Sequence, residues 1–233
     1  MKGSPQSALS MTERREGIWA LVPVKAPGRG KTRLASLLGA ESREQCVAAM
    51  LSHAMAQLNK VGCLAAVGII SPQPRPLGNG EIWIRDTGNG LNTAVCQGVT
   101  HARARGANSI VILPADLPGL HWLDVVQLIT QGQQHGVAIA PDRFRCGTNG
   151  LFFDTSCVIP AQFGRDSFRK HFSSARAQGK HLAIVDLPGL AWDLDLPEDW
   201  HFLQNRSTQS AADMSPSAFN RPQAFEPLLK TGL

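Results

Sequence analysis

The chain has 233 residues, of which 43% are hydrophobic and 18% charged, the composition of an ordinary soluble globular protein with a sizeable core. Its net charge of +5 comes without the dense basic clusters of a nucleic-acid-binding protein, and no apolar stretch is long enough to span a membrane. The polar N-terminus and the five cysteines without a CxxC pair argue against a secretory signal, a disulfide framework and a zinc site, so we expect a cytoplasmic protein.

Apolar, strand-like runs alternate with helix-period runs between residues 17 and 203, which predicts one α/β domain with a mostly parallel sheet flanked by helices. The predicted strands are Ile18–Val24, Leu64–Ile70, Glu81–Arg85, Ile110–Leu113, Val137–Ala140, Leu151–Phe153 and Leu182–Asp186. The predicted helices are Ser42–Val61, Leu91–Arg105, His121–Gln134 and Asp166–Gln178, the first with Ser42 and Gln45 at capping-box spacing. Residues 1–16 are predicted to be a disordered leader and residues 204–233 a flexible tail.

The first predicted strand runs into a basic loop that contains glycines, residues 25–33. Glycine permits close backbone approach to a ligand, and Lys25, Lys31 and Arg33 can neutralise phosphates. The loop is not a P-loop, because Lys25 stands where the Walker A pattern needs its first glycine. We therefore expect a phosphate-binding loop of another kind, with a solvated basic loop as the alternative.

A second glycine-rich turn, Asp86–Thr93, leads from a strand into a helix. Free backbone N–H groups at such a helix start can bind an anion or the polar edges of a nucleotide. The turn is not the dinucleotide fingerprint, because Thr93 replaces its third glycine. The candidate nucleotide contacts here are Gly88, Asn89, Gly90, Leu91 and Asn92.

Two acidic features suggest a cation site. Asp116 follows the most apolar strand, and ligands of parallel sheets bind outside the carboxyl ends of the strands. Asp193 and Asp195 alternate in an extended segment and so share one face, where a cation would relieve their repulsion. Such oxygen ligands suit Mg²⁺. The alternatives are that Asp116 only closes a turn and that residues 195–198 cap the last helix.

Two further segments carry small polar residues that can donate hydrogen bonds to a carboxylate or a phosphate. The first contains Thr148 and Asn149 between two predicted strands. The second contains Gly164 and Ser167 at the start of a predicted helix. His171 lies within that helix, where a histidine is more often structural than catalytic, and we assign it no role.

In chain order, VPVK with its basic loop, DTGNGLN, LPADLPGL, GTNGL, FGRDSF and DLDLPED resemble the phospholactate guanylyltransferases of coenzyme F-420 biosynthesis (CofC/FbiD-like). The resemblance covers roughly residues 17–203, and several motifs in a fixed order are more specific than any one of them. It implies a single-domain, Rossmann-like nucleotidyltransferase fold, related to that of the molybdenum-cofactor guanylyltransferases. The tail after Gln204 is an addition that the family does not require.

The resemblance also implies an activity. GTP is bound, and the phosphate of a phosphorylated three-carbon acid attacks its α-phosphorus and releases pyrophosphate. Acceptors in the family include 2-phospho-L-lactate, phosphoenolpyruvate and 3-phospho-D-glycerate. By resemblance, Lys25 and the Gly88–Asn92 turn contact the nucleotide, and Lys25 and Asp116 are the catalytic candidates. The implied Mg²⁺ ligands are Asp116, Asp193 and Asp195, and the implied acceptor contacts are Thr148, Gly164 and Ser167.

Two other interpretations stay open beside this one. The first is a related nucleotidyltransferase with another acceptor, such as a pterin or a sugar phosphate. The second is a non-catalytic nucleotide-binding module, which would have no need of three aspartates beside phosphates. The residues alone choose neither the acceptor nor guanine over adenine, and the oligomeric state is open, with a homodimer among the options.

Overall fold

The computed structural model describes residues 15–26, Gly28 and residues 30–205. The strands are β1 Gly17–Pro23, β2 Leu64–Ser71, β3 Glu81–Arg85, β4 Ala107–Ile112, β5 Val137–Pro141, β6 Thr148–Asp154 and β7 Leu182–Ile184. The helices are α1 Ala40–Leu58, α2 Leu91–Ala104, α3 Trp122–His135, α4 Ser167–Ala177, α5 Pro188–Ala191 and α6 Pro197–Asn205. Most of the predicted leader and tail, residues 1–14 and 206–233, lies outside the described residues. Among the helices that are described, none has the length and apolar character needed to cross a bilayer.

All seven strands form one sheet, in the order β3-β2-β1-β4-β6-β5-β7. Every neighbouring pair is parallel except the two that involve β6, which runs antiparallel to β4 and to β5. The mostly parallel α/β sheet predicted from the sequence is thereby confirmed. Because β6 is reversed, its first residue, Thr148, lies at the same edge of the sheet as Lys25 after β1 and Asp116 after β4.

The sheet is buried on both faces, as its apolar strands predict. Alternate residues of β1 divide between two cores: Ala20 and Val22 belong to one, and Trp19 and Leu21 to the other. Helices α1 and α3 cover the first face, and helices α2 and α4 cover the second. This rigid frame fixes the loops at the carboxyl edge of the sheet, where the candidate residues lie.

Helix capping is where the sequence interpretation was wrong. The capping box predicted for Ser42 and Gln45 does not form, because α1 begins earlier, at Ala40, with Gly39 as its N-cap and no capping side chain. Ser42 is therefore already inside the helix. A capping box does form at the start of α3, where His121 accepts a hydrogen bond from Leu123. The short helix α5 was not predicted.

Candidate active site

Lys31 joins two carboxylates from distant parts of the chain. Its Nζ lies 2.6 Å from Oδ2 of Asp116 and 2.8 Å from Oδ1 of Asp195. The Lys31 side chain is only 6% exposed, whereas those of Asp116 and Asp195 are 31% and 44% exposed. Burial opposes the charged form of Lys31, but the two carboxylates outweigh it and raise the pKa of the ammonium group. Lys31 is therefore an internal cation held between the two aspartates.

The Asp193–Asp195 segment is joined to Asp116 through the backbone. The Leu194 N–H donates to the Asp116 carbonyl at 3.1 Å. The Leu194 side chain is fully buried, so its two acidic neighbours face the other way. Burial, followed by repulsion from Asp116 and Asp195, raises the pKa of Asp193 to about 6. The structure thus brings the three predicted aspartates together with Lys31, and we call these four residues the carboxylate cluster.

Asp199, rather than Asp195, holds the start of α6. Its carboxylate accepts the backbone N–H groups of Asp195 at 2.8 Å and Leu196 at 2.6 Å. Asp199 is almost fully buried and also pairs with Arg143, from the loop between β5 and β6. The Asp195 carboxylate is left for Lys31, so its side chain does not cap the helix.

The donor set of the cluster is compatible with Mg²⁺. Within the described ranges, no group of three or more His, Cys, Asp or Glu side chains is arranged to hold a metal ion. Magnesium in phosphoryl-transfer sites usually has only one or two carboxylate ligands, and the substrate phosphates and water complete its shell. Asp116 and Asp195 already direct oxygens at one cation, the Lys31 ammonium. Burial and the negative charge of Asp116 and Asp195 raise the pKa of Asp193, so an added cation would favour its ionised form.

Lys25 and Arg33, two further basic residues of the loop, are more exposed than Lys31. Arg33 is 70% exposed and approaches Asp195 at 4.0 Å. Lys25 lines a cavity of about 370 Å³ beside α1 and a second one of about 210 Å³ at the end of β2. Lys31 first, then Lys25 and Arg33, keep the pKa of Asp195 below its usual value despite burial. The two exposed cations are therefore placed to meet an incoming anion.

The glycine turn, residues 86–90, leaves the start of α2 open. The Gly88 N–H donates to Oδ1 of Asp86 at 2.8 Å, and Gly88 and Gly90 have φ angles of 82° and 97°. Gly90 is the N-cap of α2, with no capping side chain, and a Cβ at either glycine would meet nothing within 4 Å. Asn89 and Leu91, the other candidates here, are exposed. The first turn of α2 therefore offers backbone N–H groups to open space, as an anion site requires.

The side chain of Asn92 makes hydrogen bonds within the protein, and its contact with the nucleotide stays a prediction. Its Nδ2 donates to the Phe163 carbonyl at 3.2 Å, and its Oδ1 accepts the Phe163 N–H at 2.7 Å. These two hydrogen bonds join the start of α2 to the α4 loop, residues 160–166. The side-chain amide of Asn92 is thus engaged within the protein.

Thr148, Gly164 and Ser167 lie around the start of α4. Thr148 and Ser167 are buried, and they are the first residues of β6 and α4. The Phe168 N–H donates to the Cys146 carbonyl at 3.2 Å, which ties the start of α4 to the loop before β6. Gly164 has a φ of 110° and open space where a Cβ would stand, so a ligand has room beside it.

His171, to which the sequence analysis assigned no role, contacts the predicted acceptor residue Thr148. Its Nδ1 lies 2.9 Å from Oγ1 of Thr148, and its Nε2 accepts the Gln162 N–H at 3.0 Å. Burial, and then the neighbouring Lys170, lower its pKa to about 4. The sequence pattern that could have indicated its burial is its spacing, because Ser167, His171 and Ala175 recur every four residues and form the buried face of α4.

Comparison with known proteins decides the family. Residues 18–209 match the family described as guanylyl transferase CofC-like. The chain belongs to this family. It is 34% identical over 197 residues to the phosphoenolpyruvate guanylyltransferase of Sphaerobacter thermophilus, covering 83% of this chain and 95% of that one. The enzyme of the same name from Rubrobacter xylanophilus is 35% identical over 187 residues, covering 78% and 91%. The prediction of a nucleotidyltransferase is confirmed.

Solved structures confirm the fold of this CofC-like guanylyltransferase. A Desulfovibrio desulfuricans G20 protein, provisionally named a nucleotide-diphospho-sugar transferase, superposes with a TM-score of 0.72 at 18% identity, covering 93% of this chain and 98% of that one. The 4-diphosphocytidyl-2C-methyl-D-erythritol synthase of Anaerococcus prevotii superposes with a TM-score of 0.59 at 9% identity, covering 83% and 97%. These likenesses confirm the predicted single-domain, Rossmann-like nucleotidyltransferase fold.

Proposed function

We propose that this guanylyltransferase condenses GTP with a phosphorylated three-carbon acid, as a step of coenzyme F-420 biosynthesis. The candidate acceptors are phosphoenolpyruvate, 3-phospho-D-glycerate and 2-phospho-L-lactate. Phosphoenolpyruvate comes first, because the relatives described above are named for it. The observation that carries the proposal is the bridge that Lys31 makes between Asp116 and Asp195. It forms a charged cluster at the carboxyl edge of the sheet, in a chain that belongs to a family of guanylyltransferases.

The proposed reaction is a single displacement at phosphorus. A phosphate oxygen of the acid attacks the α-phosphorus of GTP and forms a new P–O–P link. The bond from the α-phosphorus to the oxygen that bridges it to the β-phosphorus breaks, and pyrophosphate leaves. A phosphate monoester with a second pKa near 6 is already mostly dianionic at neutral pH, so no general base is needed. This chemistry suits a site made of lysines and carboxylates.

The residues of the site have separate tasks in this proposal. Lys25 and Arg33 are exposed cations that neutralise the triphosphate, and the open N–H groups at the start of α2 donate hydrogen bonds to its oxygens. Asp116 and Asp195, with Asp193 beside them, would hold Mg²⁺, which supplies positive charge to the triphosphate and the leaving pyrophosphate.

A product assay tests the proposal. The full-length protein is incubated with GTP or ATP and with each of the three acids, a pterin or a sugar phosphate, in the presence of Mg²⁺ or of EDTA, and products are identified by mass. We expect pyrophosphate and a GMP-diphosphate-linked acid, formed from GTP and only with Mg²⁺. Nucleotide binding without pyrophosphate release across the panel would contradict the proposal and favour a binding module. Turnover only with a pterin or a sugar phosphate would favour a related nucleotidyltransferase.

A further inference from the structure

A chain of buried polar groups runs from the α4 loop to the start of β6. The Gln162 N–H donates to Nε2 of His171 at 3.0 Å, and Nδ1 of His171 lies 2.9 Å from Oγ1 of Thr148. His171 is fully buried, and Thr148 is 6% exposed. The Phe163 ring packs edge-on against the imidazole, with centroids 4.8 Å apart. The imidazole is therefore held in one orientation.

The backbone decides which ring nitrogen of His171 carries the proton. A neutral imidazole has one N–H group and one acceptor nitrogen. Because Nε2 accepts the Gln162 N–H, the ring proton must be on Nδ1. His171 then donates to Oγ1 of Thr148. With one of its lone pairs occupied in this way, the Thr148 hydroxyl is left to direct its own proton elsewhere.

We propose that His171 is a positioning residue that turns the Thr148 hydroxyl into a directed hydrogen-bond donor for an anionic oxygen of the acceptor. This inference rests on the proposed function and on the contact between Thr148 and the phosphorylated acid that the family resemblance implies. A freely rotating hydroxyl can donate or accept a hydrogen bond. A hydroxyl that already accepts one from His171 favours a ligand atom that accepts its proton, such as a carboxylate oxygen. His171 itself does not touch substrate, since it is fully buried and both ring nitrogens are engaged.

Asn92 supports the same network from the nucleotide side. Its amide makes both hydrogen bonds to the backbone of Phe163, the residue next to Gln162. The N–H group that fixes the His171 proton therefore belongs to a loop anchored on α2. This anchoring explains how one backbone donor can hold its direction in a loop.

Two amide substitutions distinguish the roles of the two ring nitrogens of His171. His171→Asn places an amide N–H near the position of Nδ1 and keeps the donor to Thr148. His171→Gln places its amide oxygen near Nε2 and keeps the bond to Gln162, but not the bond to Thr148. We expect His171→Gln to raise the KM for phosphoenolpyruvate about tenfold, the effect of one neutral hydrogen bond, and His171→Asn to raise it by no more than roughly threefold. The KM for GTP should stay unchanged in both.

Thr148 variants complete a double-mutant cycle. Thr148→Val removes the hydroxyl at constant volume, and we expect His171→Gln to add nothing to its effect on the KM for phosphoenolpyruvate. Thr148→Ser, which keeps the hydroxyl, should restore the sensitivity to His171→Gln. Equal acceptor KM values for the Asn and Gln variants, changes that follow thermal stability alone, or an equal rise in the KM for GTP would each overturn the proposal.

The outcome can be read apart from the proposed reaction. If the wild-type protein forms no product with any of the three acids, the proposed function fails, and the inference is judged by calorimetric binding of phosphoenolpyruvate. Weaker binding to the Gln variant than to the Asn variant would support it, and no binding to the wild type would overturn it. The ¹⁵N spectrum of the His171 ring, assigned by its loss in the Asn variant, should show the Nδ1–H tautomer. An Nε2–H tautomer would also overturn the proposal.

Discussion

The site has two parts that differ in their electrostatics: the carboxylate cluster, which we call the charged half, and the start of α4 with Thr148 and His171, which we call the neutral half. The carboxylate cluster is built from ionisable side chains, and its aspartates Asp116 and Asp195 remain partly open to solvent around the buried Lys31. The start of α4 is built from neutral polar groups, chiefly Thr148 and His171, that are buried and hydrogen-bonded to one another. The charged half supplies charge, and the neutral half supplies hydrogen bonds of fixed direction.

The difference suits the two ligands proposed for the site. A triphosphate carries several negative charges, and its binding requires countercharge more than an exact angle. A three-carbon acid differs from its analogues by one methyl, methylene or hydroxyl group, and discrimination on that scale needs shape and directed hydrogen bonds. Removing charge should therefore damage catalysis severely, whereas changes near α4 should act mainly on the acceptor.

Asp116→Asn is the largest expected loss. The substitution keeps the size of the side chain and removes one of the two carboxylates that direct oxygens at Lys31. We expect turnover at saturating Mg²⁺ to fall about 1000-fold or more, because charge stabilisation in the transition state is the main task of the cluster. Pyrophosphate release gives the rate, and circular dichroism should report an unchanged fold.

Asp154→Asn is the matched control for that substitution. Asp154 ends β6 at the opposite edge of the sheet, and its Oδ1 accepts the Ser156 N–H, a role that an asparagine oxygen can keep. This variant should retain full activity. Near-wild-type guanylyl transfer by Asp116→Asn would remove the aspartate from the catalytic machinery.

Lys31→Met is the second test of the charged half. Methionine keeps the buried stem but leaves Asp116 and Asp195 without their shared cation. We expect turnover to fall about 100-fold. We also expect Mg²⁺ to raise the melting temperature more than in the wild type, since the unpaired carboxylates gain a new counterion.

The exposed Lys60 at the end of α1 provides the control, because Lys60→Met removes the same charge away from the site. Its Mg²⁺-dependent shift in melting temperature should equal that of the wild type. A Lys31→Met protein whose melting temperature responds to Mg²⁺ no more than the control would show that the carboxylates do not share a cation site.

The charged half was largely predictable from the sequence. Asp116 follows a buried strand, and the alternation of Asp193 and Asp195 places both on one face, so strand geometry pointed to each acidic feature. The resemblance to a known family implied that the three aspartates share one site. What the sequence could not supply is the bridge itself, because Lys31 is 85 residues from Asp116 and 164 from Asp195. The basic loop suggested only a cation for phosphates.

The neutral half was harder to predict, for a physical reason. Thr148 and Ser167 are small polar residues of a kind found in most loops, and their meaning depends on the antiparallel turn of β6, which places Thr148 at the site edge. The roles of His171 and Asn92 rest on hydrogen bonds to residues 23 and 71 positions away. The spacing of neighbouring residues carries no information on such distant partners. For His171, the sequence of α4 indicated only a buried position, through the four-residue period of its buried face.

Asn92→Ala tests whether the two halves are mechanically joined. The change removes both hydrogen bonds to the backbone of Phe163, each worth about 1 kcal/mol at most in an exposed setting. We expect the KM for the acceptor to rise about tenfold with the loss of the loop position. The KM for GTP should change less, and steady-state kinetics with each substrate varied in turn measures both.

Asn59→Ala is the comparison here, because Asn59 is another exposed asparagine with a side-chain hydrogen bond, to Glu81. It should leave both KM values unchanged. If Asn92→Ala raised the KM for GTP more than that for the acceptor, Asn92 would belong to the nucleotide side, as first predicted from the sequence.

The neutral half should also affect acid stability, through the buried imidazole of His171. The pKa of His171 is lowered from 6.5 to about 4 in the folded protein, by burial first and then by Lys170. The unfolded chain therefore binds a proton between these pH values that the native protein does not bind. The contribution of His171 to stability is full above pH 6.5 and is lost as the pH falls toward 4. The loss amounts to about 3 kcal/mol.

His171→Asn isolates this contribution, because asparagine does not titrate and keeps a donor for Thr148. Urea denaturation of both proteins at several pH values between 7 and 4 gives the difference in unfolding free energy. Every other group of the chain is present in both proteins, so the contributions of these groups cancel in the difference. We expect the wild type to lose stability relative to the variant as the pH falls, since only the wild type must protonate a buried ring. Parallel pH profiles would mean that the imidazole is solvated in the folded state, and the neutral half would then lose the property that distinguishes it from the carboxylate cluster.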